Sequence, residues 1–186
     1  LKQPPSRVQI RRRGAWVVAA AMVLLRLLLG VLPCLCLAGD NGLARLPPMG
    51  WRSWNLFGSF VSQKRIEAIM DGMVRRDRLV DGKPTSLCDL GYCDVGLDDM
   101  WQNCLVGAEG NHYHDAAGNP VVNGLTFPDL RAMTDHAHRL NLTAGWYGNN
   151  CICRDMNTSA RKYYEGDVRA LRKFNFDSLK LDGCGA

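Results

Sequence analysis

Ser178-Leu179-Lys180-Leu181-Asp182, near the C-terminus, alternates polar and apolar residues before running into Gly183-Cys184-Gly185-Ala186. A period of two places Ser178, Lys180 and Asp182 on one face of a strand and Leu179 and Leu181 on the other. Two upstream segments repeat the pattern. In Tyr92 to Asp98, Val95 and Leu97 oppose Asp94, Gly96 and Asp98; in Leu142 to Tyr147, Leu142, Ala144 and Trp146 oppose Thr143, Gly145 and Tyr147. A further short strand is read at Pro48-Met49-Gly50-Trp51. Each long strand therefore has one apolar face, suited to helices, and one that is small at depth and polar toward the C-terminal tip. A doubly wound sheet asks for apolar residues on both faces. A polar face ending in acids fits a (β/α)8 barrel, whose chemistry sits at the strand tips.

Helical spacing fills the intervals. Ile66, Ile69, Met70, Met73 and Val74 follow a Ser62 cap. Leu130, Met133, Ala137 and Leu140 follow Pro128, read as a first helical position. Tyr164, Val168, Leu171 and Phe174 make a third stripe, and all three stripes are read as core-facing. Strands alternating with such helices give an α/β fold with a parallel sheet. The four βα steps amount to about half of a closed barrel, so the expected architecture is the N-terminal half of a TIM barrel, incomplete in this chain. The longest connection, 99–127, is rich in Gly, Asn and His and lies on the tip side. Its His112 and His114 are read as exposed loop histidines, with metal binding as the alternative.

The N-terminus has a separate character. Arg11-Arg12-Arg13, the apolar run Ala15 to Leu29, Pro33 and the exit Cys36-Leu37-Ala38-Gly39 read as a secretory signal over residues 1–39. Arg26 interrupts the apolar run and argues against a stable membrane span, with an uncleaved signal anchor as the alternative to cleavage. This leader holds six of the 23 Lys and Arg and no acid, leaving 17 cations against 18 Asp and Glu, a net charge of −1 in place of +5. The basic character belongs to the leader, and nothing in residues 40–186 suggests a nucleic-acid surface. With Cys34 and Cys36 removed, Cys88, Cys93, Cys104, Cys151, Cys153 and Cys184 remain, an even set that suits disulfides in an oxidising compartment. Cys151-x-Cys153 lacks the two-residue gap of a zinc site. Asn141-Leu142-Thr143 and Asn157-Thr158-Ser159 are glycosylation sequons, of which Asn157 is the better acceptor because Asn141 abuts a strand.

Asp182 is the leading catalytic candidate. A carboxylate at a strand tip, two residues from Lys180 on the same face, is kept ionised by that cation and is then a competent nucleophile toward an anomeric carbon. The alternative is a Lys–Asp pair that merely satisfies the barrel mouth. Asp98 and Asp99 point oppositely in a regular strand, so both reach a ligand only if the strand ends or bulges there. They suit sugar hydroxyls; a divalent cation held by Asp98, Asp99 and Asp182 is the rival. Trp51 and Trp54, near the first strand tip, offer an aromatic face to a sugar, and each is equally suited to the core.

Leu43-Ala44-Arg45-Leu46-Pro47-Pro48-Met49-Gly50-Trp51-Arg52-Ser53-Trp54-Asn55 resembles the first-strand signature of the melibiase family (glycoside hydrolase family 27), secreted α-galactosidases and α-N-acetylgalactosaminidases. Leu97-Asp98-Asp99-Met100-Trp101 is similar to that family's Asp-Asp-x-Trp segment. Phe127-Pro128-Asp129, Gly145-Trp146-Tyr147 and Leu179-Lys180-Leu181-Asp182-Gly183-Cys184 follow in the family's order, so the resemblance covers residues 43 to 186. It departs at Met100, where many relatives carry a cysteine, and after Tyr147, where Cys151 arrives early.

The resemblance implies a retaining hydrolase of terminal α-galactosides on oligosaccharides, glycolipids or glycoproteins. Trp51 would line the galactose pocket, Asp98 and Asp99 bind its hydroxyls, Tyr147 and Lys180 flank it, and Asp182 act as nucleophile. Cys184 would pair with Cys151 or Cys153. No cofactor or metal is implied; a homodimer in the complete enzyme and secretory, lysosomal or vacuolar placement are. The acid/base Asp of the family is expected beyond Ala186, so this chain alone is expected to be inactive. The competing readings are a non-catalytic sugar-binding fragment, α-N-acetylgalactosaminidase specificity, and a metal-dependent enzyme built on the three acids.

Overall fold

The computed structural model of the chain describes residue 42 and residues 45–104, 106–108, 113–148 and 161–183. The leader, His112, Cys151, Cys153, Asn157 and Cys184 lie outside the described residues. In chain order the elements are β1 (Gly50–Arg52), α1 (Trp54–Phe57), α2 (Gln63–Val74), β2 (Arg78–Val80), β3 (Lys83–Thr85), β4 (Asp94–Gly96), α3 (Leu130–Arg139), β5 (Thr143–Gly148), α4 (Arg161–Lys173) and β6 (Ser178–Leu181). Short 3₁₀ turns stand at Gly58–Phe60 and Cys88–Leu90.

β1, β4, β5 and β6 form one sheet in that spatial order, and every pairing is parallel. The register fixes which side chains share a face. Trp51, Val95 and Ala144 stand in one row; Arg52, Gly96, Gly145 and Ser178 make the next; Trp146 pairs with Leu179 and Tyr147 with Lys180. The first row joins Leu97 and Trp146 in a core shared with Ile66, Met70 and Met73 of α2 and Leu130, Met133 and Ala137 of α3. Each of the large side chains among these contributes about 1.5–3 kcal/mol on leaving water. In the other row Gly96 and Gly145 carry no side chain, and the Arg52 side chain lies over them. Four strands with helices on one face cover part of a barrel, as the alternation of the strands predicts.

Three local expectations need correction. Ser62 occupies the N-cap position of α2 but makes no side-chain cap bond; Gln63, beside it, is buried, and its Oε1 accepts the Asp129 N–H at 2.9 Å. Asp129, not a proline-led start, caps α3 by accepting the Ala132 N–H at 2.9 Å, which puts Pro128 before the helix. In α4, Tyr164 and Val168 are exposed, while Tyr163, Gly166 and Ala170 are buried. The buried face uses small residues because backbone approaches it: a Cβ on Gly166 would stand 1.6 Å from the Gly118 carbonyl oxygen.

That approach comes from the long connection after β4, an arm whose described residues are pinned at several points. Gln102 bridges to Val122 and His114 to Pro120, both antiparallel. Buried Trp101 donates from Nε1 to the Tyr147 carbonyl at 3.0 Å and packs edge-on against Trp146, fastening the arm to the tip of β5. His114 is buried rather than exposed: its Nε2 is 2.8 Å from Asp167 of α4, and its ring lies against Tyr113 and Tyr163.

β2 and β3 form a separate antiparallel hairpin turned by Asp81-Gly82, whose φ angles of +50° and +76° are those a two-residue hairpin needs. Cys88 is bonded to Cys93, and Cys104 is also disulfide-bonded. Asn141 and Asn175 take φ of 58° and 59° just after α3 and α4, the left-handed exit that asparagine tolerates. Among the described residues no helix is long and apolar enough to cross a membrane.

Candidate active site

All four parallel strands end on the same side, so residues just past or at their C-terminal ends meet there. β4 stops at Gly96, and the chain turns through two successive side-chain-to-backbone bonds. Asp98 Oδ1 accepts the Asp99 N–H at 3.0 Å, and Asp99 Oδ1 accepts the Met100 N–H at 2.8 Å. Both acids are buried. Met100 takes φ +78°, the left-handed value at which the strand direction is broken. The strand end needed for two neighbouring acids to serve one site is therefore present.

β1 clamps this turn from the side. The Ser53 N–H donates to the Gly96 carbonyl at 3.1 Å, and the Asp98 N–H donates to Ser53 Oγ at 2.8 Å. Arg52 Nη1 donates to the Leu97 carbonyl at 3.0 Å.

The charged centre lies across β4, β5 and β6. Lys180 Nζ donates to Asp98 Oδ2 at 2.9 Å and stands 3.4 Å from Asp182 Oδ2. The Tyr147 hydroxyl donates to the same Asp182 oxygen at 3.0 Å, and Lys180 Nζ is 5.0 Å from the centre of the Tyr147 ring. Asp182 itself stays in register, its N–H donating to the Gly148 carbonyl at 3.0 Å. Asp98, Tyr147, Lys180 and Asp182 are thus one connected group. The Asp98 side chain is 3 % exposed and that of Asp182 39 %, so one carboxylate is enclosed and the other opens to solvent.

Asp182 is held below the ordinary aspartate range, first by the Tyr147 hydroxyl and then by the bond and charge of Lys180, against the cost of burial. An accessible carboxylate kept ionised by two donors can attack an electrophilic carbon. The enclosed, hydrogen-bonded Asp98 can only accept hydrogen bonds in a fixed direction.

Trp51 does not join this group. Its row is that of Val95 and Ala144, and its ring packs edge-on against Phe57 and lines a hollow with Ile69, Gly72, Met73 and Leu87 on the helix side. A three-residue strand cannot be phased from sequence alone; Trp51 also borders a second hollow, lined by Arg52, Asp94, Gly96, Gly145 and Ser178. Trp54, at the start of α1 just beyond the strand tip, is the exposed tryptophan of the pair. Arg52 and Ser53 stand within the first-strand signature, but no role was read for either; their places beside Gly96 appear only in the structure.

The family model described as alpha galactosidase A matches residues 46–186. The chain belongs to the melibiase family. Among curated proteins it is 34% identical over 148 residues to an alpha-galactosidase of Cyamopsis tetragonoloba, covering 78% of this chain and 32% of that protein. It is 30% identical over 152 residues to an alpha-N-acetylgalactosaminidase of Gallus gallus, covering 78% and 35%. Among solved structures it resembles alpha-galactosidase I from Mortierella vinacea, with 28% identity and a TM-score of 0.61 over 78% of this chain and 33% of that one. The alpha-galactosidase of Saccharomyces cerevisiae gives 26% identity and the same TM-score over 77% and 28%. The chain spans about a third of the length of the curated melibiase relatives it matches.

Proposed function

We propose that the chain is the N-terminal part of the (β/α)8 catalytic domain of a retaining glycoside hydrolase that removes terminal α-linked galactose. One observation carries the reading: Tyr147 and Lys180 converge on the open carboxylate of Asp182, while the same Lys180 reaches the enclosed Asp98. Family membership supports the substrate class, since relatives are alpha-galactosidases and one solved yeast relative is described with raffinose.

In this reading an Asp182 oxygen bonds to the anomeric carbon as the glycosidic C–O bond breaks, and the electron pair leaves with the aglycone oxygen. A second carboxyl, which family resemblance assigns to a residue beyond Ala186, gives that oxygen its proton and later takes one from water. Water then replaces Asp182 at the same carbon, so two inversions leave the α configuration intact. Tyr147 and Lys180 stabilise the carboxylate before attack and after its release. Asp98 and Asp99, fixed by their own backbone bonds, accept hydrogen bonds from sugar hydroxyls. Among the described residues no group of three His, Cys, Asp or Glu is placed to hold a metal, and Lys180 already occupies the space between Asp98 and Asp182.

Residues 1–39 are assigned as a secretory signal and 40–186 as catalytic-domain sequence; a secreted, lysosomal or vacuolar glycoprotein enzyme, homodimeric when complete, follows from the same reading. Substrates are α-galactosyl ends of oligosaccharides, glycolipids or glycoproteins. The relatives that act as alpha-N-acetylgalactosaminidases favour a second specificity. Aryl α-galactoside and aryl α-N-acetylgalactosaminide, offered to a full-length protein carrying this sequence, separate the two by their rates. Asp182→Asn is expected to lower turnover of the better substrate at least about 10³-fold; wild-type turnover in that variant overturns the assignment.

A further inference from the structure

The inward face of the sheet carries a cation that the sugar-binding roles leave unused. Arg52 ends β1, and the residues beside it in register are Gly96 on β4 and Gly145 on β5. A Cβ on Gly96 would stand 2.6 Å from Arg52 Cζ, and one on Gly145 would stand 3.3 Å from Arg52 Nη2 and 2.9 Å from Ser178 Oγ. Side chains are missing on two neighbouring strands just where the guanidinium lies. Its Nη1 reaches the carbonyl of Leu97, the residue before Asp98. Asp94 faces it from the lower end of β4, itself hydrogen-bonded to the Thr143 hydroxyl, and Asp98 faces it from above. Ser178 of β6 borders it, with Lys180 and Tyr147 one layer nearer the mouth and Asp182 beyond them. Burial works against this cation, and the charges of Asp98 and Asp94 offset part of that cost.

We propose that Arg52 is a positioning residue, seated in a slot left open by Gly96 and Gly145, where it fixes the Asp98 end of β4 and balances the charge of the group above it. This rests on the hydrolase reading. Asp98 and Asp182 share a single ammonium, Lys180, and Arg52 supplies the second positive charge from beneath without touching the sugar. Gly96 and Gly145 are then small because the arginine occupies their space.

The test uses Arg52→Met, Arg52→Lys, Gly96→Ala and the double variant Arg52→Met/Gly96→Ala in the full-length protein. Arg52→Met is expected to raise KM for an aryl α-galactoside about tenfold, through a misplaced Asp98, and to move the acid limb of kcat/KM to higher pH. Arg52→Lys retains the charge and restores the pH profile more fully than KM. Gly96→Ala displaces the guanidinium and reproduces the Arg52→Met phenotype. Adding Gly96→Ala to Arg52→Met changes neither KM nor melting temperature further, because the guanidinium that filled the slot is already gone. Unchanged KM and pH profile in folded Arg52→Met overturn the positioning role. Additive melting-temperature losses in the double variant overturn the slot, and that cycle is read without any activity. A wild-type protein that hydrolyses neither aryl glycoside instead overturns the hydrolase reading, and the positioning role with it.

Discussion

Lys180→Met isolates the interaction that joins the enclosed acid to the open one. Asp98 Oδ2 accepts from Lys180 Nζ at 2.9 Å, and the two side chains are 3 % and 35 % exposed. A hydrogen bond to a charged group is worth about 1.5–3 kcal/mol, and breaking a fully buried ion pair costs about 3–5 kcal/mol. Water reaches a third of the lysine side chain, so the lower bracket applies, and the expected loss is about 2 kcal/mol. Most of it comes from leaving the Asp98 charge enclosed without a cation. Methionine keeps most of the lysine stem's packing, which separates the charge effect from a cavity effect. Adding Asp98→Asn should therefore return part of the loss, with a coupling energy of about 1 kcal/mol or more between the two positions. Urea titration followed by tryptophan fluorescence, on the full-length protein and its three variants, measures this. A loss under about 0.5 kcal/mol, or strictly additive losses, would refute the reasoning that Lys180 compensates Asp98.

Two further outcomes follow from the same geometry. Tyr147→Phe removes the largest of the influences that hold Asp182 below the ordinary aspartate range. Because the folded value lies below the unfolded one, the ionised form stabilises the fold above the ordinary aspartate range, and this is lost as pH falls through the folded value. The variant should show the acid limb of kcat/KM moved to higher pH; an unmoved limb would detach Asp182 from that ionisation. Gly166→Ala should lower stability by at least about 2 kcal/mol, since the new Cβ meets a backbone carbonyl that cannot swing aside. A melting temperature equal to wild type would mean that the arm after β4 is not seated on α4.

The polar-against-apolar alternation of Val95, Leu97, Ala144 and Trp146 made the parallel sheet and its helix side legible, because burial on one face leaves a period of two in the sequence. Asp98, Tyr147, Lys180 and Asp182 were legible for the same reason: each stands on the polar face near a strand end. The row on which Trp51 stands was not, since β1 is three residues long and its phase appears only once Gly96 is seen opposite Arg52. The packing face of α4 was missed because it is carried by Gly166 and Ala170 rather than by large apolar residues, while Tyr164 and Val168 imitate a stripe. His114 looked like a surface loop residue until Asp167, 53 positions away, supplied its partner. The hairpin at Asp81-Gly82 had an available signal, the Asp-Gly pair, that the flanking short segments Arg78–Val80 and Lys83–Thr85 were too polar to support.

Covalent bonding of Asp182 to the sugar is the step on which the proposed chemistry turns. An activated, fluorinated α-galactoside that slows breakdown of the intermediate should leave one glycosyl group on the full-length protein. Peptide mass spectrometry should place that added mass on Asp182. A label on any other residue, or hydrolysis that releases the β-anomer with no label at all, would contradict it.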